Sequence, residues 1–125
     1  MAITKLDSAY CSYKVLIDTD LASTPVQNFT GGSAVVYSIT VDNTGQNSAT
    51  PSYLKLYDVL TDGGIVAAST EPDYIFQVDG AKKNVFSFPD GLTVANGLSM
   101  RCVASGQTND TSAPGSDVTV TVLYK

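Results

Sequence analysis

Six carboxylates in the middle of the chain are the side chains best suited to acid–base chemistry. A pair of Asp or Glu side chains suffices for glycoside hydrolysis, with one as the acid and the other as the nucleophile or base. The six are Asp58, Asp62, Glu71, Asp73, Asp79 and Asp90. Nearly all fall in predicted turns, where Asp is favoured because its side chain hydrogen-bonds the turn backbone. We therefore predict turn-stabilising roles for them and no catalytic pair.

Nucleophilic and metal chemistry lack their usual residues. The chain has no histidine, so it cannot build a triad in which imidazole accepts the proton of the nucleophile. Asp18 and Asp20 form an Asp-x-Asp pair, but no EF-hand loop follows that would bring further oxygen ligands to a calcium ion. We predict that the protein is not an enzyme and has neither a cofactor nor a metal site.

Cys11 and Cys102 are the two cysteines of the chain. A zinc site would need additional Cys or His ligands. Cys102 shares its strand phase with Leu98 and Met100, which predicts a small buried hydrophobic side chain. A disulfide between the two cysteines cannot be deduced from their positions and stays open, although a reducing compartment disfavours it.

Tyr53 and Tyr57 are the candidate platform for a sugar ligand. They stand at i and i+4 of one predicted strand, so both side chains project from the same face. A pyranose ring stacks on flat aromatic side chains when such a face is exposed, although the chain has no Trp, a common residue for that role. The competing interpretation is that the two tyrosines pack inside the protein or at a subunit contact.

Charge and hydropathy exclude two classes of partner. The formal net charge is -5 and only Lys82 and Lys83 are adjacent among the basic residues, which argues against a nucleic-acid binder. No apolar run approaches the roughly 18–20 residues that span a bilayer. The first residues lack the pattern of a signal peptide, so we expect synthesis in the cytoplasm. Charged residues make up 15% of the chain, against roughly 25% in a typical soluble domain, as expected for a surface that meets other proteins.

The elements that position these side chains are strands. Residues 35–41 alternate most clearly, which predicts one core-facing side. The residues expected on that side are Val35, Tyr37, Ile39 and Val41. Further strands are predicted at 12–18, 53–60, 65–68, 74–78, 84–88, 98–105 and 117–124, with shorter ones at 26–29 and 92–94. About eight strands and no helix indicate an all-β protein.

The 125 residues suit a single domain with one two-layer core. Eight antiparallel strands at this spacing most often form a β-sandwich, and we predict a jelly-roll topology, with a closed barrel or an immunoglobulin-like Greek key as alternatives. Residues 1–32 are predicted to be an N-terminal segment or arm with one strand, and residues 33–125 to be the sandwich. Gly31 and Gly32 mark the boundary.

Five short motifs follow one another in a characteristic order. They are Leu-Lys-Leu-Tyr-Asp at 54–58, Pro72 with Ile-Phe-Gln-Val at 75–78, Phe-Ser-Phe-Pro-Asp-Gly-Leu at 86–92, Asn-Gly-Leu-Ser-Met-Arg-Cys at 96–102, and a Val/Thr strand ending at Tyr124. In their order and spacing, residues 33–125 resemble small β-sandwich virion proteins of tailed bacteriophages, most of all capsid decoration (cement) proteins.

The resemblance implies a non-enzymatic structural protein of the virion. Such a protein binds the outer surface of the head, commonly as a homotrimer, and stabilises the expanded shell by contacts with the major capsid protein. The N-terminal arm is then expected to reach a neighbouring subunit or the capsid. The alternative function is a carbohydrate-binding or receptor-binding module of a phage tail or fibre, with Tyr53 and Tyr57 as its platform.

Overall fold

The computed structural model of the chain describes residues 3–7, 13–59, 70–107, 110 and 112–125. These residues form eight strands and no helix, and none of their elements is a helix that could span a membrane. The strands are β1 (Ile3–Asp7), β2 (Lys14–Leu21), β3 (Ala34–Asp42), β4 (Ser52–Asp58), β5 (Tyr74–Val78), β6 (Lys83–Val94), β7 (Leu98–Val103) and β8 (Val118–Tyr124). The strand predicted at 65–68 lies outside the described residues.

Two antiparallel sheets make up a sandwich. The large sheet has the order β1-β2-β8-β3-β6 and the small sheet the order β5-β4-β7. Strands pair in a nested way, β2 with β8, β3 with β6, and β4 with β5. Val26, which lies between β2 and β3 in the chain, forms an isolated bridge with Met100 of β7, which lies between β6 and β8. This nesting is that of one long antiparallel hairpin rolled into two sheets, which is the predicted jelly roll.

The core lies between the two sheets. On β8, Val118, Val120 and Val122 are fully buried and alternate with half-buried residues, as predicted for this strand. Leu54 and Leu56 face them from the small sheet as part of the same hydrophobic cluster. Each such aliphatic side chain contributes roughly 1.5–3 kcal/mol by leaving water, so the alternation that defines the strands also stabilises the sandwich.

The core-facing side predicted for β3 is right for Ile39 and Val41 but wrong for Val35 and Tyr37, because the strand contains a β-bulge. The register of β3 shifts between Val36 and Ser38 on both of its neighbours, and relative to β8 Tyr37 is an extra residue. An extra residue reverses the alternation beyond it. Val36 is therefore buried together with Ile39 and Val41, whereas Val35 and Tyr37, predicted to share their face, are only half-buried on the other side.

The predicted boundary between residues 32 and 33 does not divide the fold. β2 pairs with β8 inside the large sheet, and β1 pairs with the outer side of β2. Leu16, Leu21 and Phe29 are at most 4% exposed and belong to the same core as the later strands. The described part of residues 1–32 is thus integral to the sandwich, because its apolar side chains fill the core.

β6 continues through the break predicted at Pro89. Ser87 pairs with Ser38 and Leu92 with Val36, so residues 88–91 form a wide bulge opposite Tyr37. Gly91 has a φ of 82°, and a Cβ at this position would lie 2.3 Å from the Cγ1 of Val35. Both facts require glycine. The Pro-Asp-Gly sequence bends an edge strand and does not end it.

Asp58 connects the end of β4 to the turn between β6 and β7. Its carboxylate accepts hydrogen bonds from the backbone N–H groups of Ala95 at 2.9 Å and Asn96 at 2.8 Å, and a longer one from Gly97. Burial by itself raises the pKa of Asp58, but these N–H donors outweigh burial and hold the pKa below its usual value. The turn-stabilising role predicted for this carboxylate is confirmed.

We expect Asp58→Ala to lower the free energy of unfolding by roughly 1–2 kcal/mol, because it leaves backbone donors without an acceptor. Since the folded-state pKa is depressed, the contribution is present above the unfolded pKa near 4 and is lost as the pH falls through the folded value. Urea denaturation at pH 7 and pH 3 measures both effects. Asp117→Ala, at an exposed carboxylate, is the control, and an equal loss in that variant would contradict the role of Asp58.

Candidate interaction surface

Tyr53 and Tyr57 project from the outer face of the small sheet, but they do not form an open platform. Tyr57 is 0% exposed. Its hydroxyl accepts a hydrogen bond from Nε of Arg101 at 2.8 Å, and the Arg101 guanidinium carbon lies 5.1 Å from the centre of its ring. Tyr53 is half-buried beside Gly106, where a Cβ would lie 3.3 Å from the Tyr53 ring. Tyr57 thus packs inside the protein and presents no ring face to a sugar.

Two cationic side chains share that face. Lys55 and Arg101 are direct cross-strand partners and are 0% and 2% exposed. The ammonium group of Lys55 donates to the carbonyl oxygen of Gln107. Burial, followed by the charge of Arg101, lowers the pKa of Lys55, while Asp110 acts in the opposite direction. Lys55 therefore fastens the segment after β7 over the small sheet.

Of the predicted carboxylates that the structure describes, Asp58 and Asp73 lie next to each other. Asp58 and Asp73 accept backbone hydrogen bonds, the latter from the N–H of Asp58 at 2.7 Å. Glu71, Asp79 and Asp90 are exposed, and Asp62 lies outside the described residues. Among the residues that the structure describes, no group of three or more His, Cys, Asp or Glu side chains is placed to hold a metal ion.

Asp18 is a buried carboxyl at the inner face of β2. It is 0% exposed, its Oδ1 accepts the backbone N–H of Asp20 at 3.0 Å, and its Oδ2 has no hydrogen-bond partner among the described residues. Burial, together with the neighbouring Asp20 carboxyl, raises the pKa of Asp18 to about 6. The carboxyl therefore holds its proton more tightly than an exposed aspartate does, because ionisation leaves a charge in the core.

Cys102 is a free thiol with 0% exposure, as its strand phase predicted. Burial raises the pKa of Cys102 to about 12. The thiolate is the nucleophilic form, so this cysteine is unreactive at neutral pH. Cys11, its conceivable disulfide partner, lies outside the described residues.

The most exposed apolar surface lies where both sheets end on one side of the sandwich. β5 is an edge strand of the small sheet and β6 an edge strand of the large one. Tyr74, Ile75 and Val85 on these strands are 39%, 43% and 61% exposed. We call this surface the open edge, and it consists of Tyr74, Ile75, Phe76, Val85, Phe86 and Phe88.

Aromatic contacts join the two strands of the open edge. The ring centre of Phe76 on β5 lies 4.7 Å from that of Phe86 and 6.1 Å from that of Phe88, both on β6. All three rings are half-buried and pack against the core. These partly exposed rings lie between two strand edges that have no described partner strand, a combination typical of protein–protein contact surfaces.

Asn43 holds the turn between β5 and β6 in place. It is fully buried, and its Nδ2 donates to the carbonyl oxygens of Val78 and Asp79, each at 3.1 Å. Its Oδ1 accepts the hydroxyl of Ser52 at 2.9 Å, and its backbone N–H donates to Lys82 at 2.8 Å. Every polar atom of the side chain is used, so the turn that carries the open edge is rigidly positioned.

Sequence reasoning did not identify the open edge. The alternation of Phe86 and Phe88 predicted a core face, and the strand positions gave no indication that β5 and β6 are both edges. A signal was present in Val85, an apolar residue in the outward phase of a strand that begins with two lysines.

Comparison with known proteins adds little to this geometry. No family model matches the chain, and no curated protein matches it. Among solved structures, it is similar to Drosophila melanogaster CENP-C bound to CAL1, with 8% identity, a TM-score of 0.23, and coverage of 97% of this chain and 79% of that chain. A TM-score this low carries no argument about function.

Proposed function

We propose that the protein is a structural component of a tailed-phage virion, a capsid decoration protein that binds the outer surface of the head and stabilises the shell. Its principal partner is the major capsid protein. The proposal begins from the ordered motifs of residues 33–125, which resemble those of decoration proteins. A homotrimer, also implied by that resemblance, stays a prediction.

The observation that carries the proposal is the open edge on a rigid sandwich. A decoration protein needs a stiff body with a large surface of low charge, because many weak contacts on a symmetric lattice add up. Asn43 fixes the turn of this surface, and Tyr74 and Ile75 expose apolar area in a chain with only 15% charged residues. The carboxylates of Asp58 and Asp73 serve the backbone, which favours a structural over a catalytic role.

Sedimentation with phage heads tests the proposal. Purified full-length protein is mixed with expanded heads that lack it and, separately, with unexpanded precursor heads, and the pelleted fraction is measured. We expect saturable binding to expanded heads and at least about tenfold weaker binding to precursor heads, equivalent to 1.4 kcal/mol. Failure to bind heads of either kind would lead us to abandon the proposal.

The alternative function is glycan binding, and one of its two candidate platform residues, Tyr57, is fully buried. Tyr53 alone retains partial exposure, and Tyr57 is engaged by Arg101. No other observation on the described residues favours a sugar site.

A further inference from the structure

We infer that the β6 side of the open edge binds a second copy of this chain, with the two β6 strands pairing antiparallel about a two-fold axis at Val85. The capsid contact proposed above would then use Tyr74 and Ile75 on β5. The inference rests on the strand edge itself and does not depend on the capsid proposal. It assigns a symmetric contact to a surface that has no partner among the described residues.

The direction of the backbone groups on β6 follows from one hydrogen bond. The N–H of Asn43 donates to the carbonyl oxygen of Lys82, so that carbonyl points toward the β3 side of the sheet. Backbone groups of successive residues alternate in direction along an antiparallel strand. The N–H and C=O groups of Lys83, Val85 and Ser87 therefore point away from β3, toward the open edge.

Lysines at one end and a proline at the other end limit the length of β6 that could pair with an added strand. Edge strands in soluble proteins commonly carry Lys and Pro, which discourage uncontrolled pairing. Here Lys82 and Lys83 precede the segment, and Pro89 lies in the bulge that follows it. Among the described residues, only 83–87 of β6 are regular and without a strand partner on this side, so an added strand has about five residues to bind.

A second copy fits this short segment because the segment is self-complementary. With Val85 opposite Val85 of the second copy, the outward backbone groups of Val85 pair reciprocally and those of Lys83 pair with Ser87. The two copies of Lys83 then lie about 13 Å apart, so like charges are not opposed. The antiparallel pairing places Lys82 and Lys83 of one copy near Asp90 of the other copy. Positive charges therefore meet a negative charge at each end of the contact.

The pairing also covers apolar surface. Val85 is the most exposed apolar residue of the open edge, and the pairing places it beside Val85 of the second copy. The second copy also comes close to the partly exposed rings of Phe76, Phe86 and Phe88. Two five-stranded sheets become one continuous sheet of ten strands. The contact is two-fold, whereas a homotrimer would need a different surface.

Sedimentation velocity over a concentration series tests the contact. We expect the protein to form a dimer, and Val85→Lys to weaken it at least about tenfold because two lysines would face each other. Ile3→Lys is the matched control, since Ile3 is an exposed apolar residue on the opposite edge strand β1 and should leave the dimer unchanged. Circular dichroism checks that both variants stay folded.

Site-directed cross-linking tests the register. In a Cys11→Ser background the remaining native thiol is the buried Cys102. Val85→Cys should then cross-link to a dimer with dibromobimane, which joins only neighbouring thiols, and Ser87→Cys should not. A protein that is monomeric or trimeric, a dimer insensitive to Val85→Lys, or equal cross-linking from both positions would overturn the inference.

Discussion

Replacing Gly80 with alanine is expected to lower the free energy of unfolding by about 3 kcal/mol or more. A Cβ on Gly80 would lie 1.8 Å from the carbonyl oxygen of Asn47 and 2.7 Å from that of Thr50. Both atoms belong to the backbone, and the Asn47 oxygen already accepts the N–H of Thr50 at 3.0 Å. Neither can move without opening the loop between β3 and β4, so the clash is relieved only by displacing the turn that carries the open edge.

Urea denaturation measures this loss, and Gly45→Ala provides the control. A Cβ on Gly45 would make ordinary contacts, at 3.5 Å to the carbonyl oxygen of Asp117 and 3.6 Å to the Cβ of Ser116. We expect that variant to stay within about 0.5 kcal/mol of the wild type. If both alanines cost the same, close packing of Gly80 against the β3–β4 loop is not what holds the turn.

Asp18→Asn is expected to stabilise the protein by about 2–3 kcal/mol at pH 8. The pKa of Asp18 is raised from 3.8 to about 6 by burial and by Asp20. A carboxyl that binds its proton more tightly when folded stabilises the fold most at low pH, and this contribution is lost as the pH rises through about 6. Asparagine cannot ionise, its carbonyl oxygen can accept the Asp20 N–H, and its amide can replace the protonated hydroxyl beside Asp20.

The difference in unfolding free energy between Asp18→Asn and the wild type isolates this effect. Carboxylates with lowered pKa values, such as Asp42 and Asp58, titrate in both proteins and cancel in the comparison. The stabilisation should be close to zero at pH 4 and reach its full value by pH 8. Asp117→Asn, at an exposed position, should show no such rise. A difference that is independent of pH would mean that the pKa of Asp18 is not raised in the folded protein.

Local alternation was sufficient to predict the strands that have one dry and one wetter face. β8 was predicted within one residue, with Val118, Val120 and Val122 in the core. Strand number and spacing favoured a jelly roll over a closed barrel or a Greek key, because they restrict the arrangements available to an all-β chain. The fold class was therefore predictable from the sequence.

Features that depend on a distant neighbour were not predictable. Tyr37 is an extra residue only relative to its neighbour β8, so the face of β3 could not be assigned from its own sequence. Lys55 donates a hydrogen bond to the carbonyl oxygen of Gln107, a residue 52 positions away, in the segment that covers it. Whether Tyr57 is exposed or packed stayed open for the same reason, because the groups that cover it, such as Arg101, come from elsewhere in the chain.

The open edge was also not predictable from the sequence, because it depends on which strands are neighbours in the sheets. The apolar phase of Phe86 and Phe88 was evident, but a strand is an edge only by virtue of the sheet order. Val85 is 61% exposed because β6 has β3 on one side and no described strand on the other. The exposed edge could thus be located only once the strand order was known.

Electron microscopy of intact virions labelled with gold-conjugated antibody against this protein tests the central proposal most directly. A capsid decoration protein predicts label distributed over the whole outer surface of the head, and no label on heads from a phage that lacks the gene. Label confined to the tail or its fibres, or virions without label, would contradict the assignment.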